Sequence, residues 1–474
     1  MRLAASTYQL NVNLGQQEAV SRLRTYKTER CVTLVNDRTA VNNNNNANNQ
    51  NGNNAAPNGN NAAAAGAPLT DQDLVAIFEA LGELTRLQKL RVDFVGRTLR
   101  LPVVALTTVL ERVPQLQQLV LEEVRLDGSV ADVEALAMAL RQHPSLQLVD
   151  LHCCVPAEGL ETTLDPLVTA LAHVPTLTEV LLRDTRIAPR LMHNNNDDED
   201  DEDDDDSDEE GSSDEEDENT MDQEGGGGGT GGAGSSSRRP TWSGSSLVSL
   251  CESPSLRILT LRDMAEIRDV HLELMATSLQ HNDTLRELTI CSPSLGERAG
   301  RAMGQVLRSN RKLQKLEIQL NSGEDAIPIT EILQFNSSLK RLDLFFNGSI
   351  SPRIREAFTE MLRRNYVLLD LNGSVWRGQS NSEIDFYLRL NRAGRGDLLT
   401  EHATRAQWVD TMISQREDLS IVFSLLLMNP SICLHDTNDF RDVNSPGGVN
   451  GVSLHLRKRR KGEADIAGNL IGNL

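Results

Sequence analysis

The sequence predicts an α/β solenoid of repeated strand–helix units, on three observations: a strand-like leucine motif recurring in phase, helix-period stretches between its copies, and punctuation at constant offsets. The pattern L-x-x-L-x-L starts at Leu87, Leu116, Leu146, Leu177, Leu256, Leu285, Leu313 and Leu339, with a ninth, imperfect copy at Tyr366 (Tyr366, Leu369, Leu371). The intervals are 29, 30, 31, 79, 29, 28, 26 and 27 residues. A fixed period of roughly 20–50 residues marks a repeat architecture, in which each unit stacks on the next.

Between motifs, Leu160, Leu164, Leu167 and Leu171 follow i, i+4, i+7, i+11, and Ile354, Phe358, Met361 and Leu362 follow i, i+4, i+7, i+8. Both are one face of an amphipathic helix. Pro114, Pro144, Pro175 and Pro254 each stand two residues before the next strand leucine, where a helix must stop. In later repeats Asn282, Asn310 and Asn336 stand three residues before it, and are expected to take a left-handed helix cap.

The interval of 79 is one repeat of about 30 residues plus the 49-residue low-complexity tract from Met192 to Pro240, so that tract is an insertion within one unit. A further strand is expected at Cys31–Val35, and the excess distance to the next unit matches the Asn/Ala/Gly-rich tract 41–68. The division is then an N-terminal cap over 1–28, a solenoid over 29–376 with insertions at 41–68 and 192–240, a helical C-terminal cap over 377–436 and a disordered basic tail over 437–474. Helical patterns at Ser382–Arg392, Thr404–Gln415 and Leu419–Met428 supply the closing unit that a solenoid needs.

Judged by repeat length and strand–helix alternation, the array resembles ribonuclease-inhibitor-like leucine-rich repeat proteins over about Cys31 to Asn372. The resemblance implies a curved horseshoe, with parallel strands on the concave face and helices on the convex face. The family fills the ninth repeat position with Asn, Cys or Thr to bond the turn backbone. Here that position reads Val95, Val124, Cys154, Thr185, Met264, Pro293, Asn321, Asn347 and Ser374. The string from Asp385 to Arg395, DFYLRLNRAGR, is similar to the C-terminal caps of uncharacterised diatom leucine-rich repeat proteins.

Composition narrows the function classes. The 474 residues carry 68 acidic and 47 basic side chains, net −21, with 3% aromatics. Twenty of the acids lie between Asp197 and Glu224 with no base among them, and the rest of the chain sums to −1. A near-neutral body lacks the basic face that direct nucleic-acid binding needs. No run approaches the ~20 apolar residues of a membrane helix, and no export signal precedes the first repeat. The six cysteines show no CxxC or zinc spacing, which fits a reducing compartment. A cytoplasmic or nuclear monomer is expected, in which the N-x-S/T matches at Asn282, Asn336, Asn347 and Asn372 are turn residues.

No motif carries catalysis. The glycine run after the acidic tract is followed by no G-K-[ST], and neither Ser-His-Asp nor HExxH spacing occurs. His152-Cys153-Cys154 resembles a metal or redox constellation, yet its phase puts Cys154 at the turn position, and a structural role is expected. His143, His173 and His281 recur near helix ends, where imidazole meets exposed carbonyls. No enzyme activity, cofactor or metal is expected. The acidic run could hold a basic protein or be a tolerated loop expansion, and Ser207, Ser212 and Ser213 each precede an acid by three residues, which suits an acid-directed kinase. Arg457–Lys461 reads as a nuclear-localisation or polyanion patch, or as an intramolecular partner of the acidic insertion.

Within L1-x-x-L4-x-L6, alternation turns positions 4 and 6 to the core and positions 3, 5 and 7 outward. Val120, Leu148, Leu181 and Ile258 are expected close together at the centre of that outer face, with Arg183 and Arg262 side by side in one row and Asp150 and His152 beside them. Apolar anchors flanked by arginines resemble an interface hot spot, the competing reading being ordinary scatter of surface aliphatics. The expected function is non-enzymatic binding of a protein partner. One alternative resembles the Ran GTPase-activating family, for which Arg38 is a poor arginine finger beside the Asn-rich insertion. A second resembles acidic leucine-rich nuclear proteins that handle histones.

Overall fold

Five-residue runs alternating aliphatic and polar side chains make the strands, and the 3.6-residue period between them makes the helices. The computed structural model describes residues 7–11, 16–25, 29–35, 70–94, 100–156, 164–185, 244–348, 350–373 and 382–433. In chain order these hold β1 (Thr7–Asn11), α1 (Gln16–Thr25), β2 (Cys31–Val35), α2 (Asp71–Gly82), β3 (Lys89–Asp93), β4 (Arg100–Pro102), α3 (Val103–Arg112), β5 (Gln118–Glu122), β6 (Arg125–Asp127) and α4 (Val130–Gln142). There follow β7 (Leu148–His152), β8 (Val155–Pro156), α5 (Asp165–Leu171), β9 (Glu179–Arg183), α6 (Ser245–Glu252), β10 (Ile258–Arg262), α7 (Asp269–His281), β11 (Glu287–Cys291) and α8 (Glu297–Ser309). The last are β12 (Lys315–Leu320), α9 (Ile327–Leu333), β13 (Arg341–Phe346), α10 (Pro352–Arg364), β14 (Asp370–Asn372), α11 (Ser382–Arg392), α12 (Arg395–Leu398), α13 (Arg405–Ser414) and α14 (Leu419–Met428).

Among the described residues, eleven strands form one parallel sheet in the order β1-β2-β3-β5-β7-β9-β10-β11-β12-β13-β14, and β4-β6-β8 form a second. Each main-sheet strand pairs with that of the next unit, because parallel neighbours need a crossover of a dozen or more residues and the helix supplies it. The register keeps the motif in phase: Leu90, Leu119, Val149, Val180 and Leu259 are successive partners. That row and the next, Val92 to Leu261, are buried against the helices. The sequence gap between Glu179 and Ile258 leaves no mark on the sheet, since β9 and β10 pair directly. Likewise β2 pairs with β3 through Cys31↔Lys89. Both insertions, residues 41–68 and 192–240, and the tail from 437 lie outside the described residues. In the segment expected as an N-terminal cap, β1 pairs parallel with β2 and α1 follows it.

The ninth motif needs correction. Leu371 pairs with Leu342, the fourth position of its repeat, so the motif starts at Leu368 and not at Tyr366. Leu368 is fully buried, whereas Tyr366 is 43% exposed.

The asparagines before the strands are not left-handed caps either: Asn282 and Asn310 have φ −69° and −72° with extended ψ. Their side chains do the work instead. Asn310 Nδ2 donates to Leu279 O at 2.7 Å and Asn282 O at 2.9 Å, while its Oδ1 accepts from Lys312 N and Leu313 N at 2.8 and 2.9 Å. Asn282, Asn336 and Asn365 repeat the arrangement, each satisfying a carbonyl at the end of the previous helix and the amides that lead into its own strand. Unpaired buried backbone groups would otherwise be costly at every helix end.

The ladder continues past the last strand. Asn391 on α11 donates to Asn365 O and Leu368 O at 3.0 and 2.9 Å. Arg395, buried beneath Tyr387, donates to Leu362 O and Arg363 O at the end of α10. Charge at a helix C-terminus and satisfaction of its last carbonyls combine there.

Candidate functional site

Positions 3, 5 and 7 of the strands face away from the helices and form the open face of the sheet. Its rows run Gln118↔Leu148↔Glu179↔Ile258, Val120↔Asp150↔Leu181↔Thr260 and Glu122↔His152↔Arg183↔Arg262. Val120 and Leu181 therefore share one row, and Leu148 and Ile258 another. The expected apolar cluster is instead a diagonal zigzag, with partners on neighbouring strands ~7–8 Å apart rather than directly opposite. Leu148, Leu181 and Ile258 are half-buried and Val120 is buried. Glu179 stands between Leu148 and Ile258 and makes no ion pair among the described residues.

Arg183 and Arg262 are direct partners across β9 and β10, as alternation predicts. Each is held by a carboxylate. Arg183 grips Asp150 bidentately, Nε to Oδ1 at 3.2 Å and Nη2 to Oδ2 at 2.5 Å, and stands 4.0 Å from Glu122. Glu122 also receives Arg91, which lies 3.5 Å from Asp93, so one charge network crosses β3, β5, β7 and β9. Bidentate arginine–carboxylate pairs fix a guanidinium plane in a way that a lysine would not. Arg262 reaches over β11 to Glu317 on β12. Thr289, between Thr260 and Glu317 in its row, is outward-facing yet only 6% exposed, with its hydroxyl 3.5 Å from Glu317. Sequence reasoning places Thr289 in the open, whereas the Glu317 side chain stands against it.

Cys291 lies under the same span, its Sγ 3.8 Å from Glu317 Oε1; burial, reinforced by the Glu317 charge, pushes its thiol up to about 12. His152 sits half-buried between Glu122 and Arg183 in its row. Cys154 is fully buried at the turn and its Sγ donates to Leu121 O at 3.4 Å; burial pushes that thiol up to about 12 as well. Thr185 does the same one unit later, to Leu151 O at 2.8 Å. In the β11 unit Ser292, one position earlier than the exposed Pro293, donates to Ile267 O at 2.8 Å. These contacts make the His152-Cys153-Cys154 string part of the turn architecture.

The strand ends carry a feature that the motif does not announce. Glu123, Cys153, Asp184 and Asp263 have φ of 53°, 54°, 44° and 58°, a left-handed turn at the eighth position of four successive units. This turn lets each amide donate to the next strand: Glu123 N to His152 O, Cys153 N to Arg183 O, Asp184 N to Arg262 O and Asp263 N to Cys291 O, at 2.7–2.8 Å. Non-glycine residues rarely adopt that region, and Asp is among the types that tolerate it. His173 and His281 contact the carbonyls of Thr169 and Thr277 at 2.8 and 3.0 Å, as their placement at helix ends predicts.

Among the described residues no group of three or more His, Cys, Asp or Glu side chains is placed to hold a metal ion, and no helix is long and apolar enough to cross a membrane. No family model matches the chain, and no curated protein matches it. Among solved structures it is similar to leiomodin-1 actin-binding site 2, over 31% of this chain and 86% of that one, with 15% identity and a TM-score of 0.28. It is also similar to a chain of the crystal structure of the Rad7 and Elc1 complex in yeast, over 68% of each, with 14% identity and a TM-score of 0.37.

Proposed function

We propose that this chain is a non-enzymatic protein-interaction scaffold, a leucine-rich repeat solenoid of the ribonuclease-inhibitor-like type that binds a protein partner through the concave face of its sheet. The observation that carries the reading is the centre of the open face. There the zigzag Val120, Leu148, Leu181 and Ile258 is interleaved with Glu179, which makes no ion pair among the described residues, and flanked by Arg183, whose guanidinium plane Asp150 holds, and by Arg262, paired with Glu317. Rigid arginines beside aliphatic anchors lose little side-chain entropy on docking, which is the property of a preorganised hot spot. The acidic run between β9 and β10 leaves the chain at the same unit and is assigned a modulating role, holding or screening basic partners.

Comparative affinity capture from the native cell tests the reading. Wild-type bait, a Leu148→Asp/Leu181→Asp bait and a helix-side Val104→Asp/Val270→Asp bait are compared by quantitative mass spectrometry. A partner retained by the helix-side bait and lost by the open-face bait supports it. Equal capture by all three baits contradicts it.

A further inference from the structure

The apolar face of α14 is unlike any other surface of the described chain. The helix reads LSIVFSLLLM, and it buries Ile421 and Leu425 while leaving Leu419, Phe423 and Leu427 exposed by 76%, 57% and 50%. Those three stand at i, i+4, i+8, one continuous stripe. Single exposed aliphatics are ordinary, but a contiguous run of this kind marks an interaction surface.

The described residues end at Cys433, five residues after α14. After α14 a 3-10 turn, Pro430–Cys433, is tied to α13 by Arg405 Nη2 donating to Ile432 O at 3.0 Å, and the Ile432 side chain is buried. After eighteen intervening residues the sequence reads V-S-L-H-L-R-K-R-R-K, from Val452 to Lys461.

We infer that Val452–Lys461 folds back and covers the α14 stripe. The spacings agree: residues two apart in extended backbone are separated by ~6.7 Å, and helix residues four apart by ~6 Å. Val452, Leu454 and Leu456 then meet Leu419, Phe423 and Leu427 one for one.

The tether decides between this occupant and a second copy of the chain. Eighteen residues taken as a random coil have a root-mean-square reach of ~23 Å, comparable to the ~15 Å length of the ten-residue helix. A linker matched to its span gives an effective concentration in the millimolar range, above that of a second copy in solution. The contact keeps the basic cluster at the end of the array, and it does not rest on the sheet-face reading.

The test uses the full chain with the photo-cross-linking residue benzoylphenylalanine in place of Leu427 and, in a separate protein, of Leu419. Each is irradiated at micromolar concentration and analysed by gel and peptide mass spectrometry. The expected result is an intramolecular adduct to residues 449–461, with a yield that falls about tenfold when Leu454→Asp and Leu456→Asp are introduced together. A covalent dimer would give the stripe to a second copy and overturn the inference. Absence of a tail adduct from both positions, or a yield indifferent to the two tail substitutions, would also overturn it.

Discussion

The imidazole Nε2 of His143 lies 3.1 Å from the carbonyl oxygen of Val113, filling the ladder place that asparagine amides fill in the later repeats. His143 stands three residues before Leu146, as Asn310 stands before Leu313. Nε2 must carry the proton to donate there, and Nδ1 accepts from Ser145 N at 3.4 Å, so the bonded form is the neutral ring.

The pH dependence has a definite sign. Burial lowers the pKa of His143, opposed by its bond to Val113. The unfolded chain therefore binds a proton that the native ring resists, and stability contributed here is full above about pH 6.5 and declines as pH falls from there towards the native value. His143→Asn keeps a donor for Val113 O and removes the titration. Urea denaturation at several pH values between 7.5 and 5 should show a smaller loss for the variant than for wild type; identical slopes would remove His143 from the ladder.

Asn365→Ala should be among the most costly polar substitutions in the chain. It strands Leu333 O and Asn336 O together with the amides of Val367 and Leu368, all bonded by this one side chain. With each unsatisfied buried group worth ~1–3 kcal/mol, a loss on the order of 3 kcal/mol is expected by chemical denaturation. A loss near that of an exposed asparagine would mean that the ladder is not a stabilising element.

Leu288→Ala should cost about 2–5 kcal/mol through lost burial and a cavity. Thr289, its neighbour, is buried on the open face and not in the core, and its hydroxyl makes a single long contact, to Glu317. Thr289→Val should therefore stay within about 1 kcal/mol of wild type. Equal penalties would mean that the strand alternation is wrong.

Replacing glycine by alanine inside a helix normally stabilises by about 1 kcal/mol, but Gly300→Ala should do the reverse. A Cβ at Gly300, on α8, would collide with the backbone carbonyl of Asp325 in the following unit. Backbone cannot rotate away as a side chain can, so α8 and the 3-10 turn Glu324–Ala326 must separate. A destabilisation of about 1–3 kcal/mol is expected from thermal or urea melts.

Removing residues 41–68 and 197–232 together should leave the cooperative transition nearly unchanged, because β2 pairs with β3 and β9 with β10 across the two insertions. Loss of cooperative unfolding, followed by circular dichroism, would contradict that pairing.

The repeat phase was legible because one-residue slips would move every leucine off the core face, and the rows Leu90 to Leu259 and Val92 to Leu261 lie where alternation puts them. The ninth unit was misplaced because Leu369 and Leu371 also satisfy part of the motif from Tyr366. The asparagine offset would have chosen correctly, since Asn365 precedes Leu368 as Asn336 precedes Leu339. At the open face the strand neighbours were legible and the couplings were not. Whether Arg262 stays beside Arg183 or crosses β11 to Glu317 depends on side-chain reach, which periodicity does not encode. The two- and three-residue strands β4, β6 and β8 are too short to leave a period in the sequence.

The most direct test of the account is the affinity of the captured partner for four purified proteins: wild type, Leu148→Asp, Leu181→Asp and the helix-side Val270→Asp. Recognition by the open face predicts at least a tenfold loss, about 1.4 kcal/mol, for each of the two open-face variants and an unchanged affinity for Val270→Asp. Full affinity in both open-face variants, with a loss in Val270→Asp, would move recognition to the helices and contradict the account.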